Sequence, residues 1–319
     1  MIFRLSQKQS LTLALVVIVL VGAVVMAWPY TVVQRDYFVE RRGRLASADI
    51  ISSESRAGAS SISTILLHSA NELAVTMRLL LPAAAAEGQV PLLLLVGGHR
   101  TGKDAVELVG PTGGIAYAAI DYPYSGKHRL SGFTEIAGAV PAIQSALLDT
   151  PPALMLAMDW LARQTWYDPR RTELVGVSLG VPFAAVAGAL DSRFSRVWLI
   201  HGASDNAEWL MHAARDRVHN PYLRQVAVSS ALFISHGRSF RTLDWIRETA
   251  PRPVVVVLAR DDERMPEQSA ADYTAGPDNA HVSVIWTEGL HIEPNRTNEL
   301  RQIIDIVQSR IERTDEQER

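Results

Sequence analysis

No cysteine occurs among the 319 residues. That absence excludes a disulfide framework, thiolate metal sites and cysteine catalysis, and it is compatible with either export or the cytosol. An excess of one charge sign is also missing: Lys and Arg number 31 and Asp and Glu 34, for a net charge of −3. Without a basic excess nothing points to nucleic acid as a partner, and without an acidic tail nothing points to disorder. The chain holds no internal repeat and no low-complexity tract.

One long uncharged run stands out. Residues 11–28, LTLALVVIVLVGAVVMAW, follow Arg4 and Lys8. A signal-peptide core spans roughly 7–15 residues, so this run predicts a single transmembrane anchor. Val25-Met26-Ala27 offers a small-residue cleavage site, which leaves a signal peptide over residues 1–30 as the alternative. Arg4 and Lys8 stand on one side, and Arg35, Arg41, Arg42 and Arg44 on the other. The N-terminal charges are nearer to the run, so the expected orientation is N-terminus inside and the rest of the chain extracytoplasmic. Cleavage would instead release a secreted or periplasmic protein. Residues 31–60 read as a linker. Its charged cluster, 40–44, is expected to be a solvated stretch beside the membrane or a contact with lipid headgroups.

Beyond the N-terminus about 260–280 residues remain, enough for one large α/β domain. Short apolar strands alternate with helices over 61–319, which indicates a mostly parallel sheet covered on both faces. Strands are expected at 61–70, 73–82, 91–96, 114–120, 173–177, 196–200, 253–258 and 282–286. Helical content over 133–164 is expected to break at Pro141 and at Pro151-Pro152. Residues 203–250 are less regular and read as a small cap. Within it Trp209, Met211, Leu223, Phe233 and Phe240 are candidates either to line a pocket or to pack the cap on the sheet. Residues 295–312 read as a closing amphipathic helix.

Residues 172–190, TELVGVSLGVPFAAVAGAL, read as strand, tight turn and helix. Gly176-Val177-Ser178-Leu179-Gly180 fits G-x-S-x-G, in which a serine sits on a strained turn and its neighbours two residues away must lack bulk. Asp261 or Asp262, after one strand, and His291, after the last, also lie where a parallel sheet places its active-site loops. Ser, Asp and His follow in that order, with gaps that admit strand–helix units.

With these residues the region 61–309 resembles the α/β-hydrolase superfamily, closest to dienelactone-hydrolase-like and serine-aminopeptidase-like bacterial members. Gly97-Gly98-His99, Ala119 to Pro123 with Gly126, and Gly289-Leu290-His291 add to the resemblance. The family pattern G-x-x-D-x-x-V-P around the acid corresponds here to Ala259 through Met265-Pro266, which places the acid at Asp262. The resemblance implies a serine hydrolase acting on carboxylic esters, thioesters or amides through Ser178, His291 and Asp262. It implies an oxyanion hole from the N–H groups of Leu179 and His99, and neither cofactor nor metal. Asp261 and Asp205 remain alternative acids. His201 is expected to be a pocket-wall or core residue. His99, Asp121 and His128 match no metal-ligand spacing.

Two rival readings remain. The fold can serve as a binding module without catalysis. Gly97 to Lys103 also fits G-x-x-x-x-G-K, the phosphate-cradling loop, but Asp104 stands where that motif needs Ser or Thr. The expected partner is a small acyl substrate; oligomeric state is not legible.

Overall fold

A computed structural model describes residues 35–56, 60–98, 101–110, 113–127, 131–275 and 279–317. The expected membrane anchor at 11–28 lies outside them. Among the described residues no helix is long and apolar enough to cross a membrane.

Nine strands form one sheet: β1 (Leu45–Arg56), β2 (Ser60–Ser69), β3 (Ala74–Leu81), β4 (Val90–Val96), β5 (Ala116–Ile120), β6 (Tyr167–Val177), β7 (Arg196–Ile200), β8 (Val254–Ala259) and β9 (Val282–Thr287). Their spatial order is β1-β2-β3-β5-β4-β6-β7-β8-β9. β1, β2, β3 and β5 pair antiparallel, as in Ile65↔Met77 and Leu79↔Ala118. From β5 to β9 every pair is parallel, with registers such as Leu94↔Leu174, Leu199↔Val256 and Val257↔Ile285. Composition follows position. β8, VVVVLA, is buried along its whole length, as a parallel strand covered on both faces must be.

The helices are α1 (Arg35–Arg42), α2 (Gly132–Leu161), α3 (Val181–Leu190), α4 (Asn206–Ala213), α5 (Pro221–Ile234), α6 (Thr242–Thr249), α7 (Gln268–Thr274) and α8 (Thr297–Gln317). On one sheet face Leu92, Leu94, Leu174 and Leu199 pack with Met155, Phe183 and Ile246, from α2, α3 and α6. On the other, Leu93, Tyr117, Val175, Trp198 and Val255 meet Ile303, Val307 and Ile311 of α8, together with the 3-10 turn Gly102–Glu107.

Two expectations are corrected. The stretch expected as a linker, 31–60, contributes α1 and the edge strand β1. Phe38 is fully buried, with Phe240 and Trp245 at 5.8 and 5.9 Å between ring centroids. Arg41 is tied to the domain: its Nε and Nη2 donate to Asp149 of α2 at 2.6 and 2.8 Å. Arg35 pairs with Glu248 at 2.6 Å. Within the cluster 40–44, the partner of Arg41 lies 108 residues away in the chain, so a local reading of the charges cannot find it. The second correction concerns α2, which runs unbroken through Pro141, Pro151 and Pro152. Residues 153–158 are almost wholly inaccessible. Their burial compensates the missing N–H groups, an instance of packing overriding local propensity.

Candidate active site

The site forms where β6 ends. Val177 is still extended, Ser178 has φ +53°, and α3 begins three residues later. A non-glycine residue in the left-handed region is strained, and the surrounding packing holds it there. Both glycines of the motif are required by contact. A Cβ at Gly176 would sit 2.5 Å from Ala184 Cβ and 2.9 Å from the Gly180 oxygen; one at Gly180 would run into the Val96 carbonyl. The turn therefore lies tight against the end of β4, and an ideal Cβ on Gly98 would stand 4.0 Å from Ser178 Cβ.

His291 arrives from the loop after β9. Its Nε2 lies 2.9 Å from Ser178 Oγ. Its Nδ1 lies 2.9 and 3.1 Å from the two carboxylate oxygens of Asp262, in the loop after β8. With Nδ1–H donating to the carboxylate, Nε2 is left to accept from the serine hydroxyl. The imidazole is 1% exposed. Burial pushes the Asp262 carboxyl up, but the His291 hydrogen bond and charge, the Arg264 N–H at 2.9 Å and the nearby His201 outweigh it, and the net shift is downward. Glu263 and Arg296 fix the loop: the His291 N–H donates to Glu263 at 3.3 Å, and Arg296 donates to the His291 carbonyl at 2.6 Å and to Glu263 at 3.2 Å.

Other candidates fall elsewhere. Asp261 is exposed. Asp205 caps α4, accepting from the Ala207 N–H at 2.7 Å, and pairs with Arg241 at 2.6 Å. Leu179 follows Ser178 in the turn, while His99 lies outside the described residues, as does His128. Asp121 accepts from Lys103 twice, from its N–H at 2.9 Å and from its ammonium at 2.8 Å. The lysine that a phosphate cradle would need is thus spent on a carboxylate, and Asp104 pairs with Arg78 at 2.7 Å.

His201 has a part that its sequence context only hinted at, through its place just after β7. It is fully buried, with φ +50°. Its Nδ1 accepts the Ile292 N–H at 2.9 Å, which leaves the ring proton on Nε2, facing Thr287 Oγ1 at 3.4 Å. Burial pushes its pKa down to about 4, so the ring is neutral. It therefore grips the peptide that follows His291, with Nδ1 4.0 Å from Asp262. Donor atoms of His201, Asp262 and His291 all lie within 4.8 Å of one another. Both Nδ1 atoms are engaged in hydrogen bonds, that of His201 with the Ile292 N–H and that of His291 with Asp262, and a metal ion would have to displace those bonds.

A cavity of about 130 Å³ adjoins Ser178 and His291. Its walls come from the sheet, from α8, from the segment around the 3-10 turn and from the loops beside His291, and include Leu95, Val177, Ala105, Ile200, Leu300 and Ile304. None of the five cap residues named from the sequence lines it. Phe240, for one, packs with Phe38 and Phe183. The lining residues were not separable in the sequence from ordinary core, since apolar strand positions look alike whether or not the facing helix leaves a gap.

No protein-family model and no curated protein matches the chain. Solved structures do. A glucuronoyl esterase from Solibacter usitatus superposes with TM-score 0.51 at 16% identity, over 85% of this chain and 91% of that one. Acetyl xylan esterase 1 from a Thermoanaerobacterium species gives 0.55 at 14%, over 84% and 91%. A cold-adapted esterase from an Arctic intertidal metagenomic library gives 0.54 at 18%, over 83% and 99%. These likenesses establish the fold, which is that of the α/β-hydrolases.

Proposed function

We propose that this α/β-hydrolase-fold chain is a serine hydrolase that cleaves carboxylic esters through an acyl-enzyme. One observation carries the reading: the continuous relay from Ser178 Oγ through His291 to Asp262, with 2.9 Å at both links. The esterase names of the structural neighbours agree with it.

In this reading Ser178 Oγ attacks the ester carbonyl carbon while its proton passes to His291 Nε2. Asp262 holds the tautomer that makes Nε2 the acceptor and stabilises the imidazolium. The oxyanion is received by the Leu179 N–H and by a second N–H from the segment after Gly98, where His99 stands. Loss of one such donor typically lowers the rate about 100–1000-fold. As the intermediate collapses, the carbon–oxygen bond to the alcohol breaks and His291 gives its proton to the departing oxygen. Water then transfers a proton to His291 and attacks the acyl carbon; as this second intermediate collapses, the bond to Ser178 Oγ breaks, His291 returns the proton to that oxygen, and the acid is released. Thioesters and amides would use the same groups.

The run at 11–28 is proposed as the membrane tether of this domain. Only residues 29–34 separate it from α1, so the α1 side of the domain would stand within about 20 Å of the lipid.

The test is labelling of the full chain with a fluorophosphonate, followed by mass mapping. The expected result is covalent label on Ser178, absent from Ser178→Ala and His291→Ala. Folded protein without label would overturn the reading.

A further inference from the structure

The cavity at Ser178 has a direction. It does not open upward under the residues first read as a cap; it descends along the sheet face covered by α8. Three successive levels of inward-facing strand residues line it. Val177 stands near the rim, Leu95 and Val175 below it, and Leu93 with Tyr117 below those. The parallel register sets the depth: Leu95 is level with Val175, and Leu93 with Tyr117. At about 3.3 Å per residue, Val175 lies roughly 10 Å below Ser178 and the backbone of Tyr117 roughly 16 Å. Across the cavity, α8 descends in parallel. From Leu300 to Val307 is seven residues, roughly 10 Å at the helical rise. The walls between are aliphatic, and the bottom is marked by Tyr117 Oη, which accepts from Gln308 Nε2 at 2.8 Å.

From this we propose that the cavity is the acyl subsite, shaped for an unbranched medium-chain acyl group of about six to ten carbons; the assignment rests on the serine-hydrolase reading above. The span of α8 along the channel, from Leu300 to Val307, and the cavity volume agree on size. An extended chain advances about 1.2 Å per bond, so roughly 10 Å accommodates about eight bonds. A water-sized atom needs about 10–15 Å³ of such cavity volume, so 130 Å³ takes about ten of them. The order of bond breaking decides between acid and alcohol. The acyl group stays bonded to Ser178 after the alcohol departs, and a deep apolar channel that reaches down to Tyr117 and Gln308 suits the part that stays. The leaving alcohol needs a route to solvent. The rim is charged, with Arg264 and Glu293 paired beside His291, and the depth is not. A second carboxylate on the acyl chain would therefore be buried without a cation.

Burial of each added methylene is expected to raise kcat/KM up to about fourfold. The experiment uses the full chain with p-nitrophenyl esters from acetate to palmitate, and in parallel alkyl acetates from ethyl to octyl. The expected optimum is octanoate, roughly 100-fold above acetate and falling beyond decanoate, with a flat alkyl acetate series. Ile303→Trp, which fills the channel, should lower the octanoate-to-butyrate ratio at least tenfold. Val307→Ala, which opens its lower part, should move the optimum toward laurate and guards against misfolding of the first variant. An enzyme labelled at Ser178 that prefers acetate, or whose rate follows the alcohol chain, or whose optimum ignores both variants, overturns the acyl subsite and leaves the hydrolase reading standing. An unlabelled, inactive chain overturns both.

Discussion

Asp262→Asn keeps the shape of the side chain and tests the relay directly. Oδ1 accepts the Arg264 N–H at 2.9 Å, and Oδ2 faces His291 Nδ1 at 2.9 Å. The asparagine has one oxygen to offer. The Arg264 N–H requires an acceptor, so that oxygen takes the Oδ1 place and the NH2 group turns to His291. An NH2 facing Nδ1 makes Nδ1 the acceptor and moves the ring proton to Nε2, where it blocks proton uptake from Ser178. The imidazolium formed during attack also loses its carboxylate. At about 4 Å and an effective dielectric near 20 that charge interaction is about 4 kcal/mol, which corresponds to roughly a thousandfold in rate. The expected result is a 10³- to 10⁴-fold fall in kcat for ester hydrolysis, of the size known for this substitution in serine proteases, with KM changed little. Thermal unfolding should show a folded variant. Folded Asp262→Asn with activity within tenfold of the parent would refute the relay and return the acid to Asp261 or Asp205.

Two further substitutions address the surroundings of the site. Gly180→Ala places a methyl against the Val96 carbonyl, with no flexible side chain to yield. It should cost about 1–3 kcal/mol in urea unfolding, whereas Gly88→Ala, with nothing near it, should stay within about 0.5 kcal/mol. His201 contributes to the acid limb of stability. Its folded pKa, about 4, lies below the ordinary 6.5. The unfolded chain therefore binds the proton first, and the stabilisation present above pH 6.5 is lost as pH falls through 4. The full loss is about 3 kcal/mol. His201→Gln, which retains an acceptor for the Ile292 N–H, should show a shallower decline over that window by urea titration; an identical slope would show that His201 is not buried in its neutral form.

Most of the sheet was legible because its cause is local. A run such as VVVVLA can be satisfied only by burial on both faces, and G-x-S-x-G declares a turn whose tightness forbids side chains on either flank. The alignment of Ser178, Asp262 and His291 with strand ends was legible for the same reason: strand ends are read from where apolar runs stop. The sequence could not show that α1 and β1 belong to the domain. β1 is a polar edge strand, paired along one side only, and Phe38 and Arg41 find Trp245 and Asp149 only once the chain has closed. Nor could it show α2 continuing through three prolines, since the stabilising contacts come from other elements.

By itself, then, the sequence determined the chain's punctuation: which segments must be buried, where the backbone must turn, and which reactive side chains stand at those turns. The tertiary structure decided distances. Ser178 and His291 are 113 residues apart in the chain and 2.9 Å apart at their reacting atoms, because the register of β6 through β9 brings their ends to one edge of the sheet. The same register, set against the slope of α8, left a channel below the serine and put His201 behind the peptide that carries His291. Backbone hydrogen bonding between distant strands fixes such distances, and hydrophobic pattern alone does not encode them.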